Sequence, residues 1–138
     1  MRFLAVAGAL VALAGPALAQ SANPSVDPSA FQGRTAGDLA ALCGATQDDP
    51  RYVAAVHFCH GFLQGAAQYH NATRRAGTRT PPLFCPPEQR PSVEQVASSY
   101  VTWLRGSPQY AGEAAVDGLT RWAQATYPCP ATPPRRRR

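Results

Sequence analysis

PRYVAAVHFCHGFLQGAAQYHNATRR, residues 50–75, decides the fold. Asp49 stands before it as a helix cap, and Pro50 takes the first helical position, where a backbone N–H would find no partner anyway. Tyr52, Val56, Cys59, Leu63, Ala66 and His70 then recur at spacings of three and four, with Val53 and Phe62 widening the stripe. That period belongs to a long amphipathic helix with one buried face. Gly61 and Gly65 fall four apart on it, although a glycine inside a helix costs about 1 kcal/mol relative to alanine. The expected compensation is helix packing: another backbone approaches closely, inside the domain or across a homodimer.

Shorter helices follow on either side. Thr35 and Asp38 have the spacing of a capping box, so a helix is expected from Ala36 to Ala45, with Leu39, Leu42 and Cys43 as its stripe. From Gly77 to Pro91 the prolines forbid helix, and Cys85 offers this long loop a covalent tether. Ser92-Val93-Glu94-Gln95 again has capping-box form, and Val93, Val96, Tyr100, Trp103 and Leu104 supply a core face up to Gly106. Ser107-Pro108 is expected to start a fourth helix at once, forming a tight helical hairpin. That helix carries Ala111, Ala114, Ala115, Leu119, Trp122 and Ala123 and ends near Tyr127. No strand pattern of useful length occurs. The fold class expected is all-α, a small disulfide-bonded bundle of about four helices.

The N-terminal segment reads as a signal peptide: Arg2, an apolar run from Phe3 to Ala14, the breaker Gly15-Pro16, and Ala17-Leu18-Ala19 before a cut at Gln20. The run is too short for a membrane span, which takes roughly 20 residues, and no cysteine follows the cut to carry lipid. Expected organisation is therefore a signal peptide (1–19), a flexible lead-in (20–30), one helical domain (31–129) and a disordered Pro/Arg tail (130–138). The net charge of +5 misleads, because Arg2 and Arg135–Arg138 account for all of it. The body is formally neutral and lacks the spread basic and aromatic surface of a nucleic-acid binder.

Cys43, Cys59, Cys85 and Cys129 all follow the cut. An even cysteine count in a small exported chain favours two disulfides and a periplasmic location. Three pairings are open; the helix layout leans to Cys43–Cys129 with Cys59–Cys85. No two cysteines have zinc-ligand spacing, and Val56 stands where a haem-attachment motif ending at Cys59-His60 needs its first cysteine. No metal or cofactor is expected. Neither a nucleophile elbow, a phosphate loop nor a His-Glu-x-x-His pair occurs, and no carboxylate in the long helix faces His57 or His60 at helical spacing. The chain reads as a binding protein and not as an enzyme.

Several segments taken in order resemble the Rap/Tai family of periplasmic immunity proteins of type VI secretion. They are Leu39 to Cys43, Cys59-x-Gly61-Phe62-x-x-Gly65, Phe84-Cys85-Pro86-Pro87, the Val96 to Leu104 helix, and Tyr127-Pro128-Cys129. The resemblance implies a small helical domain, often a homodimer, that blocks a peptidoglycan-cleaving amidase toxin by covering its cleft. The residues expected to touch such a partner are the hairpin tip, Arg105, Ser107, Gln109 and Tyr110, and the basic group Arg74, Arg75 and Arg79. The partner is then a cell-wall amidase effector, with no nucleic acid and no membrane span. The competing readings are a small periplasmic chaperone or an envelope-associated binding module.

Overall fold

The computed structural model describes residues 25–75 and 81–130, without the side chains of Arg74 and Arg75. The expected signal segment, most of the tail, and Arg79 lie outside the described residues. Four α-helices make a bundle: α1 (Ala36–Cys43), α2 (Tyr52–Arg75), α3 (Val93–Gly106) and α4 (Ala115–Thr126), with 3-10 turns at Pro28–Gln32 and Pro108–Tyr110. Among the described residues no strand forms beyond one isolated bridge, Thr35 to Ala114. The all-α, disulfide-bonded fold expected above is the fold observed.

The shortest helix is the hub. α1 packs against α2, α3 and α4, and Ala36, Leu39 and Leu42 are wholly buried. Its start is fixed by a reciprocal cap: the Asp38 N–H donates to Thr35 Oγ1 at 3.0 Å, and the Thr35 N–H donates to the Asp38 carboxylate at 2.9 Å. Two further N–H groups at this end, on Ala36 and Gly37, donate to the Glu113 and Ala111 carbonyls, both at 2.9 Å. The helix start is thus satisfied by the chain that leads into α4.

That pairing explains where α4 departs from expectation. Ala111 and Glu113 spend their carbonyls on α1, so the stretch does not continue a helix from Pro108. The chain makes one 3-10 turn, Pro108–Tyr110, and enters α4 only at Ala115, whose N–H donates to the Arg34 carbonyl at 2.9 Å. Once formed, α4 lies so close to α1 that a Cβ on Gly118 would sit 2.5 Å from the Ala36 Cβ. The Tyr100 hydroxyl, wholly buried, donates to the Ala36 carbonyl at 3.0 Å and closes the same junction from α3.

The 24 residues of α2 span about 36 Å at ~1.5 Å per residue, three times the length of α1. Its buried seam is Ala55, Cys59, Leu63 and His70, with Phe58, Phe62 and Ala66 partly covered. Val53, expected to widen this seam, is instead 66% exposed. Gly61 and Gly65, expected to pack inside the domain or across a homodimer, meet no other element among the described residues, since nothing beyond their own helix lies within 4 Å of a Cβ built at either. They sit on the outward side of the seam.

The ordered core begins earlier than Phe31. Val26 and Ala30, placed in the mobile lead-in by sequence, are buried at 7% and 3% exposure. Asp49 holds them: one carboxylate oxygen accepts the Val26 N–H at 2.6 Å and the other the Arg51 N–H at 2.7 Å. Phe31 packs edge-on against Phe58, and Gly33, at φ 56°, leaves no room for a side chain, since its Cβ would lie 2.8 Å from the Phe58 ring.

The two disulfides are Cys43–Cys59 and Cys85–Cys129, not the pairing favoured from the helix layout. Cys43 ends α1 and Cys59 lies two turns into α2, so the antiparallel pair brings their Cα atoms to 5.1 Å. The proline loop runs beside the exit of α4, where the Cys85 N–H donates to the Tyr127 carbonyl at 2.8 Å. That contact puts Cys85 and Cys129 within reach, at a Cα separation of 4.8 Å.

Candidate functional site

The hairpin tip is a supported platform. Tyr110 stacks on Trp103 with ring centroids 5.6 Å apart and planes nearly parallel at 1°. The Arg121 guanidinium lies over the Tyr110 ring, 5.0 Å from its centroid, and donates to the Glu113 carboxylate at 2.6 Å. That hydrogen bond and charge hold the guanidinium pKa above its ordinary value. Tyr110 is therefore half-buried, its ring braced by Trp103 and Arg121. Arg105 and Gln109 are exposed beside half-buried Ser107. Ser107, Gln109, Tyr110 and Arg121 border a shallow polar recess of about 460 Å³.

Arg74 and Arg75 close α2, with side chains outside the description, and Arg79 falls in the undescribed stretch between α2 and the loop.

A larger feature was missed by sequence reading. α2 outruns α1, and its last turns face the proline loop and, across an opening, α4. Between them lies a groove of about 580 Å³. Its floor is Leu63, Leu119, Trp122 and Tyr127, with His70 stacked on Phe84 at 4.0 Å and 13°. Its rim is formed by Tyr69, Leu83 and Val116, which are 74%, 57% and 53% exposed. Arg90 and His70 are the basic groups among the described lining residues, and none of these is Asp or Glu. Exposed large apolar residues gathered on one groove mark an interaction site. A signal was present in the sequence: a cysteine-tethered proline loop containing Leu83-Phe84 that has to lie against something apolar.

All four cysteines are in disulfides. Among the described residues no cluster of three or more His, Cys, Asp or Glu could hold a metal ion, and no helix is long and apolar enough to cross a membrane. The chemistry available at both surfaces is recognition: stacking, apolar contact and arginine hydrogen bonding.

No curated protein and no solved structure matches the chain. The family model of the Rap1a immunity proteins matches residues 35–129, from the cap of α1 to the last cysteine. That interval holds all four helices and both disulfides, and the chain belongs to the Rap1a immunity protein family.

Proposed function

We propose that this chain is a periplasmic immunity protein that binds a peptidoglycan amidase delivered by type VI secretion and blocks its cleft. The family match carries the reading, because an immunity protein acts by binding a toxin. The signal-peptide pattern before Gln20 and two disulfides in a small chain support an oxidising compartment. Inhibition is steric. A rigid platform needs little ordering when it binds, so most of its contact energy is kept. The hairpin tip meets that need, since Trp103, Tyr110 and Arg121 brace the loop that projects Arg105 and Gln109.

The test is inhibition with purified components. The mature protein, prepared from periplasm, is used to isolate a cell-wall hydrolase of the same organism, whose peptidoglycan cleavage is then followed as the protein is added. Cleavage should stop near equimolar addition. Arg105→Ala combined with Gln109→Ala should weaken binding about tenfold or more, the loss of one good interface anchor, with an unchanged circular dichroism spectrum. Undiminished cleavage in the presence of excess protein would defeat the functional reading. Full affinity in the double variant would defeat only the assignment of the tip.

A further inference from the structure

We propose that the apolar groove is the docking site of the chain's own residues 131–134, the Pro-rich stretch that follows Pro130. The groove is open on its rim yet apolar throughout its floor, and a monomer in water gains by covering such a patch. Three observations select this occupant.

The first is position. Cys129 is bonded to Cys85 in the proline loop, and its Sγ lies 3.7 Å from the Pro82 carbonyl oxygen. Pro82 and Tyr127 both line the groove. The chain therefore leaves the described structure beside the groove wall, fixed by a covalent bond.

The second is chemistry. Pro130-Ala131-Thr132-Pro133-Pro134 has prolines spaced as Pro-x-x-Pro, the pattern that docks as a polyproline helix on aromatic-lined grooves. Tyr69, Phe84, Trp122 and Tyr127 supply such a lining. No carboxylate stands among the described lining residues, so Arg135–Arg138 are not what the groove holds; they project beyond it.

The third is reach. At ~3.1 Å per residue, residues 130–134 extend about 15 Å. The α2 wall from Leu63 to Thr73 is about 15 Å long at ~1.5 Å per residue. Tethering also makes a weak contact sufficient. A short linker gives an effective concentration of about 1 mM, so a contact with a dissociation constant of ~1 mM is occupied about half the time.

The experiment compares the mature full chain with one ending at Pro130, reading the fluorescence of Nile red, a neutral dye that reports apolar clefts. The shortened chain should bind several-fold more dye, and a peptide of residues 130–138 added to it should displace that dye. Replacing Arg135–Arg138 with serine should leave the full chain as dark as before, whereas Pro133→Ser with Pro134→Ser should raise dye binding. Equal dye binding by full and shortened chains overturns the proposal. So does a rise that the peptide fails to reverse, or one reproduced by the arginine replacement. Dye exclusion that fades on dilution of the full chain assigns the groove to a second copy and overturns it too.

Discussion

Around α1 the helix start and the Tyr100 hydroxyl have partners supplied by the chain, and Ala36, Leu39 and Leu42 are wholly buried. Ala36, Gly118 and Tyr100 converge from three helices, and the Tyr100 hydroxyl finds the Ala36 carbonyl. Around the proline loop the same residue types are used differently. Tyr69, Leu83 and Val116 stand in solvent at the lip of a groove, and the loop is held by Cys85–Cys129 and by the stack of His70 on Phe84. Both regions carry a disulfide, but α1 is sealed by helices packed on three sides, whereas the proline loop depends on its covalent bond. The contrast teaches that the sealed region fixes the scaffold, while the tethered one holds apolar surface open without unfolding.

The largest expected effect breaks the covalent side of this contrast. Replacing Cys85 and Cys129 with serine opens a loop with a sequence separation of 44, worth about 4 kcal/mol in the chain-entropy model. The Cys43–Cys59 pair, with a separation of 16, is worth about 3 kcal/mol by the same reckoning. Urea titration of both double variants should rank them in that order. The reverse order would mean that packing around the proline loop already does the work assigned to its disulfide.

Next comes the sealed side. Gly118→Ala places a methyl 2.5 Å from the Ala36 Cβ, and such overpacking typically costs about 1–3 kcal/mol. Gly61→Ala and Gly65→Ala, which meet open space, should instead stabilise slightly, since alanine is favoured over glycine in a helix by about 1 kcal/mol. Thermal melts of the three variants check the difference.

Tyr100 gives a smaller effect with a pH signature. Tyr100→Phe removes the hydroxyl from the Ala36 carbonyl and should cost about 1 kcal/mol. Burial raises the Tyr100 pKa from 10.0 to about 12. The folded protein therefore keeps a proton that the unfolded chain loses above pH 10. Its contribution is whole below that pH and fades as pH rises from 10 toward about 12. Brief urea titrations across that window should show stability falling in the native chain and less so in Tyr100→Phe. The least effect is expected at the lip, where Leu83→Ser or Val116→Ser should change stability by less than about 0.5 kcal/mol.

Local rules made much of this legible. Thr35 with Asp38 and Ser92 with Gln95 were readable as caps because each uses side chains within one turn of its own backbone, and both boxes form. What escaped depends on contacts between distant segments. Residues 111–114 look helical alone, and only the N–H groups of α1 draw them out. Val26 looks like a polar lead-in until Asp49 accepts its N–H. The cysteine pairing follows from which elements lie side by side, which helix periodicity does not encode. Tyr110 was readable as an aromatic at a tip, but not as one braced by Trp103 and Arg121.

The most direct measurement of the immunity reading is a competition on solid medium between the parent strain and one lacking this protein. The deficient strain should fall in number only when the parent's type VI apparatus is intact, and exported wild-type protein should restore it. Equal growth of the two strains beside an actively secreting parent would contradict the account.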